Sequence, residues 1–242
     1  MMGKQKIALV TGANRGIGFE ICRQLAGLGC TVLLGARDIG RGSAAAGLLQ
    51  DENLEVHAVH VDMNDPTSFS RLHDRIADAY GRLDILVNNA GIAEDWAYTA
   101  ADVPVSLIQE TFVVNFFNLI ALTQQLLPLL RASSAGRIVN QSSVLASLTL
   151  HSDPDAGLEN LKPLAYNASK TAVNAFTVHL AHALKNTTIK VNAAHPGDVV
   201  TDLNPNGVIN VVDGARTAVE LAMLPADGPT GGFFHLKETL PW

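Results

Sequence analysis

The sequence predicts an α/β fold, a single doubly wound parallel sheet of about seven strands with helices on both faces. Two observations carry that prediction. Short β-rich apolar runs alternate with longer helical stretches along the whole chain. Several of those runs are also apolar at nearly every position, as expected for strands covered on both faces rather than on one. Strand–helix–strand alternation of this kind implies right-handed crossovers between parallel strands.

Lys6–Thr11, Thr31–Ala36, Glu55–His60, Leu83–Asn88, Gly136–Gln141 and Ile189–His195 read as strands, and Gly232–Leu236 as a weaker one. Helices are expected near 16–28, 41–50, 67–80, 105–131, 164–185 and 213–224. The stretch 151–163 (HSDPDAGLENLKP) is polar and turn-rich, so it is expected to be a surface loop between a strand and a helix. No linker, repeat or low-complexity tract interrupts the pattern. Residues 1–242 are therefore expected to form one domain, a length that helix-wrapped sheets reach without splitting.

Composition narrows the function. The chain is 48% hydrophobic and 17% charged, enough apolar surface for a sizeable core and too much for disorder. Seventeen basic against twenty-three acidic side chains give a net charge of −6 with no basic tract, whereas a nucleic-acid surface needs a cationic stripe. No apolar run approaches the ~20 residues of a membrane helix, so no membrane partner is expected. The first residues lead straight into a strand-like run and leave no room for a signal peptide. Cys22 and Cys30 form no CxxC pair, and the eight histidines show no metal spacing. Two buried thiols, no metal and a cytoplasmic location are the expectation.

The chemistry-bearing motifs begin where the first strand ends, at Thr11-Gly12-Ala13-Asn14-Arg15-Gly16-Ile17-Gly18, with a helix following at once. Glycines there let the backbone turn tightly and approach a pyrophosphate, which then sits on the positive end of the helix. The spacing departs from G-x-G-x-x-G, so this is a variant of the dinucleotide loop of Rossmann-type folds; on its own a glycine-rich turn can also be simple strand-to-helix packing. NAD binders usually place an acid at the end of strand two to grip the ribose hydroxyls. Here that strand ends in Arg37-Asp38, and Arg37 with Arg15 can clamp a 2′-phosphate by charge-assisted contacts. Arg41 is a further candidate for that clamp. NADPH/NADP is the expected cofactor; NAD is less expected, although Asp38 after Arg37 keeps it from being excluded.

Tyr166 and Lys170 stand four residues apart on one face of a predicted helix. A neighbouring ammonium favours the phenolate and is expected to lower the tyrosine pKa, making it a usable acid–base. That spacing also occurs by chance; its company makes it specific. A strand ends in Gln141-Ser142-Ser143, where a hydroxyl can polarise a substrate oxygen. Asn115 lies among apolar neighbours in a predicted helix, so its amide is expected to be buried and partnered. It can stitch that helix to a backbone carbonyl, or hold a water that relays protons to Lys170.

These motifs in this order resemble the short-chain dehydrogenase/reductase family over essentially the whole chain. The T-G-x-x-x-G-x-G loop, Asp62-Met63-Asn64 after strand three, Asn88-Asn89-Ala90-Gly91 after strand four, Asn115, the serine pair, Tyr166/Lys170 and His195-Pro196-Gly197 followed by Thr201 complete the set. The resemblance implies Tyr166 as acid–base, Lys170 as its electrostatic partner on the nicotinamide ribose, Ser143 as the substrate-polarising serine with Ser142 as fallback, and Asn115 in the proton relay. It implies cofactor contacts from Gly12, Asn14, Arg15, Gly16, Ile17 and Gly18, and from Arg37. Asp62 and Met63 are placed at adenine, Asn89, Ala90 and Gly91 along the adenosine ribose, and Pro196, Gly197, Val199 and Thr201 near the carboxamide and phosphate.

Finer features resemble the carbonyl-reductase-like branch. They are TGAN-Arg-GIG, Arg37 followed by Arg41, and a Gly-Gly-Phe-Phe ending near Trp242. Ser143 and Tyr166 lie 23 residues apart, a wider gap than the commoner family arrangement, so 151–163 is read as an insertion near the active site. It is shorter than in animal carbonyl reductases, and the sequence is compatible with a monomer or a homo-oligomer. The activity implied is reversible NADPH-dependent reduction of a small-molecule ketone or aldehyde. The alternative is a non-catalytic NADP(H) sensor or scaffold of the same fold, whose degenerate members would lose the tyrosine, lysine or serine. Sugar-nucleotide epimerases share Y-x-x-x-K but carry a long C-terminal domain, and only 41 residues follow Thr201. The segment lengths also speak against a ketoacyl reductase. Specificity is expected from the 92–104, 144–163 and 202–212 segments, with Trp96, His151 and Leu203 as candidate lining residues.

Overall fold

The apolar runs become strands because a parallel strand between two helical layers has no solvent face to fill with polar residues. Ile7–Val10 (β1), Thr31–Ala36 (β2) and Ile85–Asn88 (β4) are buried at every position. Val56–His60 (β3), Arg137–Gln141 (β5), Lys190–Ala194 (β6) and Phe233–His235 (β7) complete the parallel set. The computed structural model describes residues 5–242, so the first four residues of the expected leaderless start lie outside the described region. Strand order is β3-β2-β1-β4-β5-β6-β7-β8, and every neighbouring pair through β7 is parallel. The eighth strand was not anticipated: Glu238–Thr239 (β8) pairs antiparallel with β7. It is two exposed residues with no periodicity to read. It forms because the chain reverses at Leu236, which has φ +53° and whose N–H donates to the Thr217 hydroxyl at 2.8 Å.

The pleat sorts the strands' side chains into two cores. Ala8, Val10, Val32, Leu34, Ile85 and Val87 face Gly16–Gly27 (α1), Ile39–Asp51 (α2) and Val211–Ala222 (α8). Leu9, Leu33, Leu86, Ile138 and Val191 face Thr67–Tyr80 (α3), Asn118–Arg131 (α5) and Leu164–Ala183 (α7). Cys22 and Cys30 are free and buried in the first core, and burial pushes the Cys22 thiol up.

The helix expected over 105–131 is broken into Val105–Phe112 (α4), a π-helical turn at Val113–Phe117, and α5. Taken together they are 27 residues with a mean hydropathy of 1.5 in the most apolar window. By length and composition this stretch is long and apolar enough to cross a membrane, which corrects the reading that no such run exists. In this fold Val114, Leu119, Leu122 and Leu126 pack one face of it against the second core. Segment 151–163 is more ordered than a plain loop: Leu148–His151 (α6) leads into it, and Pro154–Ala156 forms a 3-10 turn.

Between β1 and β4 the chain changes direction of winding, and crevices in such sheets open at the carboxyl ends of the strands beside that point. The glycine loop, Arg37, Asp62-Met63-Asn64, Asn89-Ala90-Gly91, the serine pair and His195-Pro196-Gly197 all follow the C-terminus of a strand.

Candidate active site

A cleft of about 1630 Å³ runs along those strand ends. At its centre the glycine loop leaves β1 with Gly12 at φ +62° and Gly16 at φ +60°. A Cβ at Gly12 would lie 2.9 Å from the Ala90 Cα, and one at Gly18 would lie 2.5 Å from Asn89 Nδ2 and 2.7 Å from the Gly12 carbonyl. The loop and the segment after β4 are laced together at that distance. Thr11 Oγ1 accepts from the N–H groups of Asn89 and Ala90, both at 3.0 Å, and Asn89 Nδ2 donates to the Thr11 carbonyl at 2.9 Å. The result is a smooth backbone wall over the N-terminus of α1.

Towards β2 and β3, the exposed Arg37 enters the cleft with Asp62, Met63 and Arg15. Arg15 pairs with Asp202 across the opening. Asp38, the residue that left NAD open, is occupied locally. It caps α2 by accepting from the Arg41 N–H at 3.0 Å, which holds its carboxyl below the usual range. Arg41 pairs with Asp38 at 3.7 Å and opens, with Arg15, onto a neighbouring shallow depression. On the far side Pro196, Gly197, Val199 and Thr201 complete the wall; Gly197 has φ +91°, and a Cβ there would lie 2.6 Å from Ile209 Cδ1. A dinucleotide fits this end on two counts: the close-approach glycines clear a backbone-lined groove, and Arg15 and Arg37 line it while the strand-two acid Asp38 is engaged in capping α2.

The candidate catalytic residues Ser143, Tyr166 and Lys170 sit where β5 meets α7. Ser143 caps a 3-10 turn at Val144–Ala146, with its hydroxyl accepting from the Leu145 N–H at 3.2 Å. Ser142 points elsewhere and donates to Asn174 Oδ1 at 2.6 Å, which favours Ser143 as the residue presented to a substrate. Lys170 is buried. Its ammonium donates to the Gln141 carbonyl at 2.8 Å, and desolvation lowers its pKa to about 8. Tyr166 is half-buried, and its pKa moves up, against the expectation from the neighbouring lysine. Burial outweighs the hydrogen bond with Ser143, which works in the opposite direction. The ammonium lies 5.8 Å from the ring centroid and is turned towards Gln141.

Asn115 is fully buried in the π-helical turn. Its Oδ1 accepts from the Ile92 N–H at 2.8 Å, while Nδ2 donates to the Ile92 carbonyl at 2.9 Å and to Ser169 Oγ at 3.0 Å. Unlike Ser143, Tyr166 and Lys170, it does not line the cleft. The stitching geometry is therefore present, and Asn115 meets Lys170 only around Gly91, where a Cβ would be 3.3 Å from Asn115 Oδ1 and 3.4 Å from Lys170 Nζ.

The family description "short chain dehydrogenase" matches residues 6–208. The chain belongs to the short-chain dehydrogenase family. Salutaridine reductase of Papaver bracteatum is 34% identical, covering 97% of this chain and 96% of the relative. Carbonyl reductase [NADPH] 1 of Mus musculus is 34% identical over the full length of both chains. Among solved structures, the NADPH-bound carbonyl reductase from chicken fatty liver superposes with a TM-score of 0.85 at 25% identity, over 98% of this chain and 99% of that one. Within the family these relatives place the chain in the carbonyl-reductase-like branch.

The substrate side of this dehydrogenase was legible only in part. Trp96 and Leu203 line the cleft, but His151 does not. His151 is held inside its own loop, within 3.0 Å of the Leu145 carbonyl and 2.8 Å of Lys162 Nζ. Three contributions to the site have no assignment from the sequence. Ser106, Gln109, Glu110, Val113 and Val114 enter from α4 and the π-helical turn, whose only sequence signal was amphipathic periodicity. His195 is buried with its pKa pushed down to about 3 by desolvation and by His235; its Nδ1 accepts from the Val144 N–H at 3.2 Å and so braces the turn after Ser143. Asp95 is fully buried behind Tyr166.

Proposed function

We propose that this chain catalyses the reversible, NADPH-dependent reduction of a ketone or aldehyde to the alcohol. The observation that carries the reading is the convergence of Tyr166, Ser143 and the buried Lys170 in the same cleft as the glycine cradle. NADPH bound in the glycine cradle would supply the hydride for the carbonyl carbon. Ser143 and Tyr166 hold the carbonyl oxygen, and Tyr166 gives it a proton as negative charge develops. Its raised pKa keeps the phenol protonated at neutral pH, the form a reduction needs. Lys170 holds the nicotinamide ribose and supplies positive charge under the ring. Asn115 positions the Ile92 backbone through its own amide. Arg37 and Arg15 hold the 2′-phosphate, which the NADPH named in the mouse and chicken relatives supports.

The substrate is a small-molecule carbonyl compound with an apolar body. Trp96, Val113, Leu145 and Leu203 line its side of the cleft, and Leu158 and Leu161 bring the 151–163 segment in as a further wall. NADPH oxidation against a panel of aldehydes, α-diketones, quinones and cyclic ketones tests the activity. Tyr166→Phe is expected to leave under a tenth of kcat, a loss above about 1.4 kcal/mol, with NADPH affinity intact. Retention of more than that removes the tyrosine from the mechanism. Tight NADPH binding with no turnover of any panel member would favour the sensor instead.

A further inference from the structure

The helix that carries Tyr166 begins without a cap of its own. Its N-cap residue is Pro163, whose side chain accepts nothing, so the first-turn N–H groups of α7 need a partner from elsewhere. Asp95, seventy residues earlier and fully buried, supplies it. Its Oδ2 accepts from the Ala165 N–H at 2.6 Å and its Oδ1 from the Tyr166 N–H at 3.3 Å. Those are the second and third residues of the helix, the same N–H groups that a local serine or threonine cap serves. Burying a carboxylate is costly, and a local hydroxyl would end the helix without that cost. A remote carboxylate does something a local cap does not: it ties the helix to the segment after β4.

Two more contacts from that segment close on the same residue. The Trp96 ring lies against the Tyr166 ring, with centroids 6.2 Å apart at 32°. Ile92 is clamped through both its N–H and its carbonyl by Asn115, whose amide also donates to Ser169 Oγ at 3.0 Å. Ser169 Oγ in turn donates to the Tyr166 carbonyl at 2.7 Å. Tyr166 is thus held at its backbone N–H, its backbone carbonyl and its ring by a network that reaches the wall formed by Ala90, Gly91 and Ile92.

We infer that Asp95 is a positioning residue for the reaction, holding the phenol of Tyr166 in place relative to that wall. The inference rests on the reading of Tyr166 as proton donor. Its test uses Asp95→Ala, and the double variant Asp95→Ala/Pro163→Ser, in which the helix receives its own cap. Thermal midpoint, NADPH affinity by fluorescence, and kcat and KM at saturating NADPH are measured for each. Asp95→Ala is expected to lower kcat by roughly ten- to hundredfold, the scale of a reacting group displaced by about 1 Å, with NADPH affinity unchanged. The double variant is expected to regain thermal stability but not kcat.

Recovery of kcat along with stability would show that Asp95 only starts the helix, and would overturn the inference, as would a wild-type kcat in Asp95→Ala. If Asp95→Ala does not fold, the double variant is read in its place. If neither folds, Asp95 is a folding residue and the inference fails. Should Tyr166→Phe retain turnover, the tyrosine reading falls whatever Asp95 does. An inactive Tyr166→Phe beside fully active Asp95 variants overturns the present inference alone.

Discussion

The two halves of the sheet are built from different materials. Around β1, β2 and the helices α1, α2 and α8, the sheet-facing interior is dry: Val10, Val32, Leu34, Ile21, Leu25 and small residues of α8 fill it. Its working end is backbone, shaped by Gly12, Gly16 and Gly18. Around β4, β5 and α7 a polar seam runs through the interior instead. Asn88 Nδ2 donates to Thr123 Oγ1 at 3.0 Å and to Asn140 Oδ1 at 2.9 Å, and Asn140 Nδ2 donates to Thr177 Oγ1 at 2.9 Å. Ser142 on Asn174 and Lys170 on the Gln141 carbonyl continue it to the cleft. Tyr166, Lys170, Asn174 and Thr177 follow one another at helical spacing, so a single face of α7 carries both the seam and the chemistry. Apolar packing is non-directional, which suffices where the ligand meets backbone. Hydrogen bonds have a fixed length and direction, and they set the register of α7 on β5 where side-chain atoms must meet a reacting bond.

Replacing the lysine breaks the contrast most severely. Lys170 carries its charge at a desolvation cost: a fall in pKa from 10.5 to about 8 corresponds to up to about 3 kcal/mol. Between those two values the unfolded chain binds more protons than the folded one, so this group makes wild-type stability rise with pH across that window. Lys170→Met should therefore abolish most turnover, stand more stable than wild type at neutral pH, and lose that advantage as pH rises from about 8 to about 10.5. Urea denaturation of both proteins at neutral and alkaline pH decides it; a stability difference that does not change with pH means the buried ammonium carries no such cost.

Arg37→Ala probes the backbone-built half. Loss of a charge-assisted contact to the 2′-phosphate is worth roughly 1.5–3 kcal/mol, so preference for NADPH over NADH should drop about ten- to hundredfold with kcat retained. Equal weakening of both cofactors in fluorescence titrations would move the phosphate to Arg15 or Arg41.

The mildest change lies deep in the seam. Thr177→Val keeps the shape but orphans Asn140 Nδ2, at a cost of about 1 kcal/mol. If the seam sets register, the variant lowers kcat as well as the thermal midpoint while binding NADPH normally. An unaltered kcat would reduce the seam to packing.

Much of this was legible in the chain alone, and the reason is locality. Strands buried on both faces must be largely apolar, so all seven expected strands and their order along the chain could be read directly, the last more weakly, as could the glycine loop and the Tyr166/Lys170 pair, each defined by spacing within one element. Eight residues of local pattern suffice to say that backbone will approach a phosphate. The π-helical turn at Asn115, the two-residue β8 and the rise in the Tyr166 pKa were not legible, because each depends on what a neighbour distant in sequence removes or supplies: Ile92 for Asn115, Thr217 for the reversal at Leu236, burial for the phenol. Asp95 is the extreme case. As a letter it is one acid in a loop beside Glu94, with no motif around it, and its partners lie seventy residues away. Only folding brings a carboxylate onto the bare end of α7, since a hydrogen bond needs two groups within about 3 Å and sequence spacing conveys that distance only inside a single helix, strand or turn.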